Sequence, residues 1–195
     1  MRRLNRQPPQ RCHLRINNDG PGGTRVPSTY AGVKEILMNT IIHFGTESGN
    51  AELVAYDLAE HLDQPAVAVH DMSTFDVAEL DRTALHIFVC STYGEGDLPV
   101  GAEPFHQALE ALAPDLTGLR YAIFGLGDST YHETYSHGSE IIDALLTRLG
   151  AQRVSTYGRH DAASNSDATE LALAWADSLT EELEAAPACP FMSQH

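Results

Sequence analysis

Three short stretches carry the side chains in this sequence best suited to chemistry: GTESGN at 45–50, STYGEGDLP at 91–99 and GLGDSTY at 125–131. The first precedes a predicted helix and offers Thr46, Ser48 and Asn50 as donors, with Gly49 allowing close backbone approach. Backbone N–H groups at a helix start bind phosphate, although Ser48 or Asn50 would equally serve as an ordinary helix cap. The loop has no Lys or Arg and lacks the GK[ST] ending of a nucleoside triphosphate site, which argues against ATP or GTP hydrolysis. In the third stretch Thr130 stands where a GxGxxG dinucleotide fingerprint has its last glycine, which disfavours a Rossmann site. The second and third stretches each hold a tyrosine, Tyr93 and Tyr131. Either alone reads as an ordinary surface or core residue. Together, across a crevice, they can sandwich a flat conjugated ring.

These stretches share a place in the pattern. Each follows an apolar run, 40–44, 83–90 and 121–124, so each is a loop at the carboxyl end of a predicted strand. In open α/β sheets ligands bind outside those ends. From Met38 the chain alternates: strand 39–44, helix 51–62 with Leu53, Val54, Leu58 and Leu62 on one face, then a break at Pro65. Strand 66–71 follows, with a short turn or helix at 76–80, strand 83–90 and helix 102–112 ending before Pro114. Strand 120–124, helix 139–149 stopped by Gly150, strand 152–157 and helix 167–183 complete it, the last with Leu171, Trp175 and Leu179 spaced by four. Five strands alternating with helices imply an α/β doubly wound parallel sheet with helices on both faces. A ring plus one phosphate monoester, held without Lys or Arg, points to a mononucleotide such as FMN.

Composition narrows the classes further. The chain of 195 residues suits one domain, and no apolar run approaches the length of a membrane span. Cys12, Cys90 and Cys189 are odd in number and lack CxxC spacing, which argues against disulfides or zinc and fits a reducing, cytoplasmic setting. Residues 1–37 hold seven basic and two acidic side chains, a net charge of +5; the remainder holds five and 25, a net of −20. So acidic a domain repels nucleic acid and attracts a basic protein surface, although a merely solvated acidic face is the plainer reading. Residues 1–37, rich in Pro, Gly, Asn and Arg, read as a disordered basic leader. Met38 is the favoured natural start, with a transit peptide the alternative. Residues 38–187 form the domain and 188–195 a flexible tail.

GTESGNAE, STYGEGDLP and FGLGDSTY, followed by LGAQRV at 149–154, resemble the flavodoxin family. The likeness is strongest to the branch of FMN domains of diflavin reductases and small MioC-type flavodoxins, and it covers roughly residues 39–185. It implies a five-stranded parallel sheet of order 2-1-3-4-5 and a short-chain member, without the long insertion that splits the last strand elsewhere. On that resemblance Thr46, Glu47, Ser48, Gly49, Asn50 and Ala51 form the phosphate loop. Ser91, Thr92, Tyr93, Gly94, Glu95 and Gly96 line one side of the isoalloxazine with Tyr93 stacked on it. Leu126 to Tyr131, with Gly127 and Asp128, line the other, with Tyr131 stacking; His132 to Tyr135 close the rim and Asp161 lies near the flavin. Asn50 stands where Thr is commoner in the family.

The expected function is an FMN one-electron carrier. Gly94, able to reach positive φ cheaply, is the candidate whose carbonyl turns toward flavin N5. Glu95, Asp97 and Asp128 disfavour added negative charge, which implies low potential. These acids with Glu47, Glu103 and Glu133 are expected to dock basic partners. The partners would be an NAD(P)H-dependent flavodoxin or ferredoxin reductase as donor and a basic-surfaced redox enzyme as acceptor, with a monomeric carrier between them. The alternative is an FMN-dependent NAD(P)H:quinone-type oxidoreductase, although Tyr93 and Tyr131 leave little room over the ring for a substrate. A phosphoacceptor receiver domain is set aside because Gly45, Thr46 and Ser91 occupy its acidic positions and the sole lysine is Lys34. His43, His70 and His86 read as structural, Cys90 as buried, Glu181, Glu182 and Glu184 as a solvated helix end, and His132 with His137 as poor metal spacing.

Overall fold

The computed structural model describes residues 39–62 and 67–185. The basic leader, Met38, Pro65, Cys12, Cys189 and the tail at 188–195 lie outside the described residues. The strands are β1 (Thr40–Gly45), β2 (Val67–Asp71), β3 (Leu85–Ser91), β4 (Arg120–Gly127), β5 (Gln152–Arg153) and β6 (Gly158–Asp161). The helices are α1 (Asn50–Leu62), α2 (Glu103–Leu112), α3 (His137–Arg148) and α4 (Ala168–Ala185), with 3-10 turns at Val77–Glu79 and Ser129–Thr134. All pairings are parallel, and the sheet order is β2-β1-β3-β4-β5, with β6 continuing on β4 beyond β5. This is the flavodoxin-like doubly wound sheet that the sequence predicts.

The central strands are covered on both faces, which is why LHIFVCS and RYAIFGLG read as apolar runs rather than alternating ones. One core joins Ile42, Leu85, Val89 and Phe124 to Val54 and Leu58 of α1 and to Ala172, Ala176 and Leu179 of α4. The opposite core joins Phe88, Tyr121 and Ile123 to Phe105 of α2 and Ile142 of α3. Gly150, at φ +96°, stops α3 in the left-handed conformation that glycine reaches cheaply.

Two helix faces differ from the sequence expectation for one reason. In α1 the buried side chains are Ala51, Val54, Ala55 and Leu58, while Leu53 is 61% exposed. In α4 they are Ala172, Ala176, Leu179 and Leu183, while Leu171 is exposed and Trp175 half-buried. Small residues let the two helices lie close to each other and to the sheet, so alanines take the inner positions. At the end of α4, Glu182 is not merely solvated: its carboxylate accepts from the Thr156 N–H at 2.9 Å and the Thr156 hydroxyl at 2.7 Å.

The fifth strand is not the continuous 152–157 run expected. β5 pairs Arg120 with Gln152 and Tyr121 with Arg153, but β6 pairs Phe124 with Gly158 and Gly127 with Asp161. Between them the outer strand carries two more residues than β4, a bulge. The Trp175 indole N–H donates to the Thr156 carbonyl at 2.9 Å, and the Tyr157 hydroxyl donates to Ser139 Oγ at 2.6 Å, holding the bulge from both sides. Gly158 makes room for it, since a Cβ there would stand 2.5 Å from Phe124 Cδ2 and 2.8 Å from Trp175. The consequence is positional: the uninterrupted register would bring Arg159 opposite Gly127, and the bulge brings Asp161 instead.

A histidine chain is buried under β1 and β3. The His86 Nε2–H donates to the Asp81 carbonyl at 2.9 Å, so His86 Nδ1 is an acceptor and receives His43 Nε2–H at 2.9 Å. His43 Nδ1 is left unprotonated and without a partner. His70, Phe75 and Phe88 pack around the His43 ring, and burial first, then neighbouring histidines, hold His43 well below its ordinary pKa.

Candidate functional site

The carboxyl ends of β1, β3, β4 and β6 bring four loops together. After β1, Gly49 takes φ +91° and its N–H donates to Thr46 Oγ at 2.9 Å, which folds residues 46–49 into a tight turn leading into α1. The turn is wedged from two sides. A Cβ on Gly101 would fall 2.6 Å from the Thr46 carbonyl oxygen and 3.0 Å from its nitrogen, and one on Gly45 would fall 2.6 Å from Ala102 Cβ. Glu47 reaches across to accept the Val100 N–H at 3.0 Å. Only glycines allow the start of α2 to sit this close. Ser48, Asn50 and Glu47 project outward, while Ala51 is fully buried as part of the α1 anchor.

The loop after β3 is a narrow five-residue reversal. Tyr93 and Asp97 exchange N–H to carbonyl bonds of 3.0 and 2.8 Å, and the Gly96 N–H also donates to the Tyr93 carbonyl at 3.1 Å. Gly94 at φ +56° and Gly96 at φ +110° make the reversal possible, and Gly94 has the positive φ expected of it. Below the loop, Ser91 Oγ donates to the Gly45 carbonyl at 3.3 Å and the Thr92 N–H to the Leu126 carbonyl at 3.0 Å, tying the three strand ends together. Tyr93 is 51% exposed, and Glu95 stands at the tip.

Leu126 and Gly127, expected in a loop, are the last residues of β4. The loop proper begins at Asp128, whose carboxylate accepts from the Thr130 N–H at 2.9 Å and hydroxyl at 2.6 Å. Asp161, delivered by the bulge, accepts from the Ser129 N–H at 2.8 Å and the Ala163 N–H at 3.0 Å. The Ser129 bond is the first cause holding Asp161 below the ordinary carboxylate pKa. Asp161 therefore pins the loop that presents Tyr131, which is 60% exposed. His132 sits at φ 38°, ψ −88°, a conformation that non-glycine residues rarely adopt. Tyr135 is half-buried beside Arg159, with 5.9 Å between the guanidinium carbon and the ring centroid, and its ring edge lies next to Gly127.

These loops enclose a cleft of about 690 Å³, within the range of small-molecule and cofactor sites. Of the residues expected at a ligand, Glu47, Ser48, Asn50, Ser91, Thr92, Tyr93, Gly94, Leu126, Gly127, Asp128 and Tyr131 line it. Thr46, Gly49, Ala51, Glu95, Gly96, Ser129, Thr130, His132, Glu133, Tyr135 and Asp161 are not on its wall; Thr46, Gly49, Ala51, Gly96 and Asp161 support it through the bonds and packing above. Thr134, within the expected 132–135 rim, also lines it, and the wall further includes Leu53, Val54, His160, Ala162 and the 166–169 segment, which lie outside the residues expected at the ligand. The signal was present: in a sheet of this winding every strand-to-helix loop emerges at the same edge, and SNSD at 164–167 before α4 is such a loop. Asp167 caps α4 there, accepting the Glu170 N–H at 3.0 Å. Among the described residues on the wall the acids are Glu47, Asp128 and Asp167, and no Lys or Arg is present. Two exposed tyrosines, a glycine turn at a helix start and hydroxyls between them match a flat ring joined to one phosphate.

The comparisons with known proteins agree with this geometry. A family model described as Flavodoxin matches residues 42–175. The mitochondrial pyruvate dehydrogenase [NADP(+)] of Euglena gracilis is 38% identical over 139 residues, which are 69% of this chain and 8% of that protein. The NADPH--cytochrome P450 reductase of Sus scrofa is 34% identical over 136 residues, 66% of this chain and 20% of that protein. The chain thus spans a small part of the length of these relatives. Among solved structures, oxidised flavodoxin 2 from Bacillus cereus matches with TM-score 0.64 and 30% identity, covering 74% of this chain and 99% of that one. A cysteine-to-serine mutant of flavodoxin from Pseudomonas aeruginosa matches with TM-score 0.64 and 28% identity, covering 75% and 99%.

Proposed function

The chain belongs to the flavodoxin family, and from that premise we propose that its cleft holds FMN and that the protein is a one-electron carrier. Membership supports a flavin; the cleft favours the mononucleotide. The observation that carries this reading is the pairing of Tyr93 and Tyr131, both more than half exposed, on one cleft whose other end is a helix start with Ser48 and Asn50. Aromatic faces left open in a cleft are the surface that a planar ligand covers. The 46–51 turn offers backbone N–H groups and hydroxyls to a phosphate monoester without a basic side chain.

Bound FMN supplies a ring that accepts and releases electrons; the chain sets where it lies and how easily it takes on charge. Tyr93 and Tyr131 exclude water from the ring faces. Gly94, at φ +56°, gives the adjoining peptide the freedom to present its carbonyl toward the ring edge. Glu47, Asp128 and Asp167 on the wall, with Glu95, Asp97 and Asp161 near it, oppose added negative charge and so lower the potential. The same acids, with Glu103 and Glu133, favour a donor and an acceptor with basic surfaces. An NAD(P)H-dependent flavodoxin or ferredoxin reductase fits the donor role, and a basic-surfaced redox enzyme the acceptor role. We place the protein in the cytoplasm as a monomer.

Anaerobic reductive titration tests the reading. The expected result is one FMN per chain, reduction by NADPH only when a separate reductase is added, and electron-transfer rates that fall as salt is raised. Failure to take up FMN would overturn it, as would rapid direct oxidation of NADPH with a quinone as acceptor, which would make the protein an oxidoreductase in its own right. No helix among the described residues is long and apolar enough to cross a membrane.

A further inference from the structure

The first turn of α3 grips the loop that carries Tyr93. His137, the first residue of α3, donates its Nδ1–H to the Gly96 carbonyl at 2.6 Å. The next residue, Gly138, donates its N–H to Thr92 Oγ at 3.2 Å. Gly138 has no Cβ because one would stand 2.5 Å from the Ser91 carbonyl oxygen and 3.1 Å from that of Asp97. Gly96 is buried, and a Cβ there would meet Thr134 at 2.8 Å and His137 Nδ1 at 3.1 Å. The reversal at 93–97 is therefore held at its inner end, at Gly96, and free at its outer end, at Gly94 and Glu95.

We propose that His137 is a positioning residue: its hydrogen bond fixes the Gly96 carbonyl, so that movement of the loop is confined to the Gly94 peptide facing the flavin. The proposal rests on the FMN-carrier reading. His137 does not line the cleft; it acts through Gly96. A carbonyl accepts only, so the imidazole must carry its proton on Nδ1, and an asparagine amide places a donor at nearly the same point whereas alanine places none. Without the bond, the buried Gly96 carbonyl loses a partner and the whole reversal gains freedom. A flavin would then have to order the loop on binding, and a loop peptide no longer held at one end would respond differently to the charge on the ring.

The experiment compares wild type, His137→Ala and His137→Asn by three measurements: FMN titration of the apoprotein, the two one-electron potentials of the reconstituted protein, and amide exchange in the apoprotein. The Gly96 and Asp97 amides, both bonded to the Tyr93 carbonyl, are the reporters for exchange. The expected result for His137→Ala is about three- to tenfold weaker FMN binding, the cost of one hydrogen bond, with faster exchange at those amides and a changed gap between the two potentials. His137→Asn should return all three toward wild type. Wild-type values in His137→Ala would overturn the proposal. Equal loss in both variants would also overturn it, because the bulk of the ring rather than its donor would then matter. If His137→Ala does not fold, His137→Asn decides alone: wild-type potentials and exchange uphold the donor role and altered ones refute it. Should wild type itself refuse FMN, the carrier reading fails, while exchange in the apoprotein still tests whether His137 holds the loop.

Discussion

Lowering the pH from 7.5 to 5.0 should destabilise the apoprotein through the buried His43–His86 pair. The bond directions fix where protons sit: His86 Nε2–H is given to the Asp81 carbonyl, and His43 Nε2–H to His86 Nδ1. A further proton must go to His43 Nδ1, which has no acceptor, or to His86 Nδ1, which already faces a donor. Burial is the leading cause lowering both pKa values. In the unfolded chain each histidine titrates near its ordinary value of about 6.5. Between the lowered folded value and 6.5 the unfolded state binds more protons, so stability is fully present above 6.5 and is lost as pH falls below it. For His43, held well below its ordinary value by burial, the loss by pH 5.0 reaches at most about 2 kcal/mol, the limit in which the folded state takes up no proton, and His86 adds to it. The lowered carboxylate Asp81 has the opposite placement: its contribution is lost only as pH falls below about 4, outside this window. Urea unfolding followed by circular dichroism is the assay, and 2 kcal/mol moves the midpoint by about 1 M at a slope of about 2 kcal/mol/M. A His43→Leu/His86→Leu variant should show a flat response over the same range. The Asp81 carbonyl keeps the Ala84 N–H as a donor at 3.1 Å in that variant. A wild-type midpoint unchanged between pH 7.5 and 5.0 would refute the assigned bond directions.

Gly101→Ala drives a methyl group against the Thr46 backbone, which cannot yield as a flexible side chain does. About 1–3 kcal/mol of stability should be lost, together with FMN affinity, and unaltered urea midpoints and FMN titrations would count against the wedge. Tyr131→Ala should weaken FMN binding about three- to tenfold or more through lost ring contact, while Tyr131→Phe retains most of it; fluorescence titration of FMN distinguishes the two. Burial pushes the Cys90 thiol up to about 12. In a Cys12→Ser/Cys189→Ser background it should resist a disulfide reagent at pH 8 and react once urea unfolds the chain; prompt reaction in the native state would show the strand to be open there.

The fold and the mouth of the cleft were legible in the sequence because both rest on local signals. A buried parallel strand has to be apolar along its length, and the loop that follows it has to change composition abruptly. GTESGN, STYGEGDLP and GLGDSTY mark three such changes, and the winding of the sheet places them at one edge. What was not legible depends on how closely two elements approach. Counting large apolar residues put Leu53 and Leu171 inside, yet the inner positions went to Ala51, Ala55, Ala172 and Ala176, because the packing distance between helix and sheet decides which volume fits. No periodicity in the sequence encodes that distance.

The bulge shows the same limit with a functional result. VSTYG at 154–158 has the composition of a strand, and nothing local says that two residues will loop out. The reason is distant in sequence: Trp175 on α4 needs the Thr156 carbonyl and the space over Gly158, Tyr157 needs Ser139, and Glu182 needs Thr156. Those three contacts move the strand by two residues, and the move decides whether an arginine or an aspartate stands beside the end of β4. With Arg159 there, a cation would lie next to a cleft otherwise walled by acids, and added negative charge on a ring would be favoured. With Asp161 there, the Ser129 N–H gains an acceptor, Tyr131 is presented from a pinned turn, and the charge near the cleft stays negative. The packing of α4 on the far side of the sheet edge therefore sets the charge beside the cleft, so residues such as Trp175 act on the site although they lie outside it.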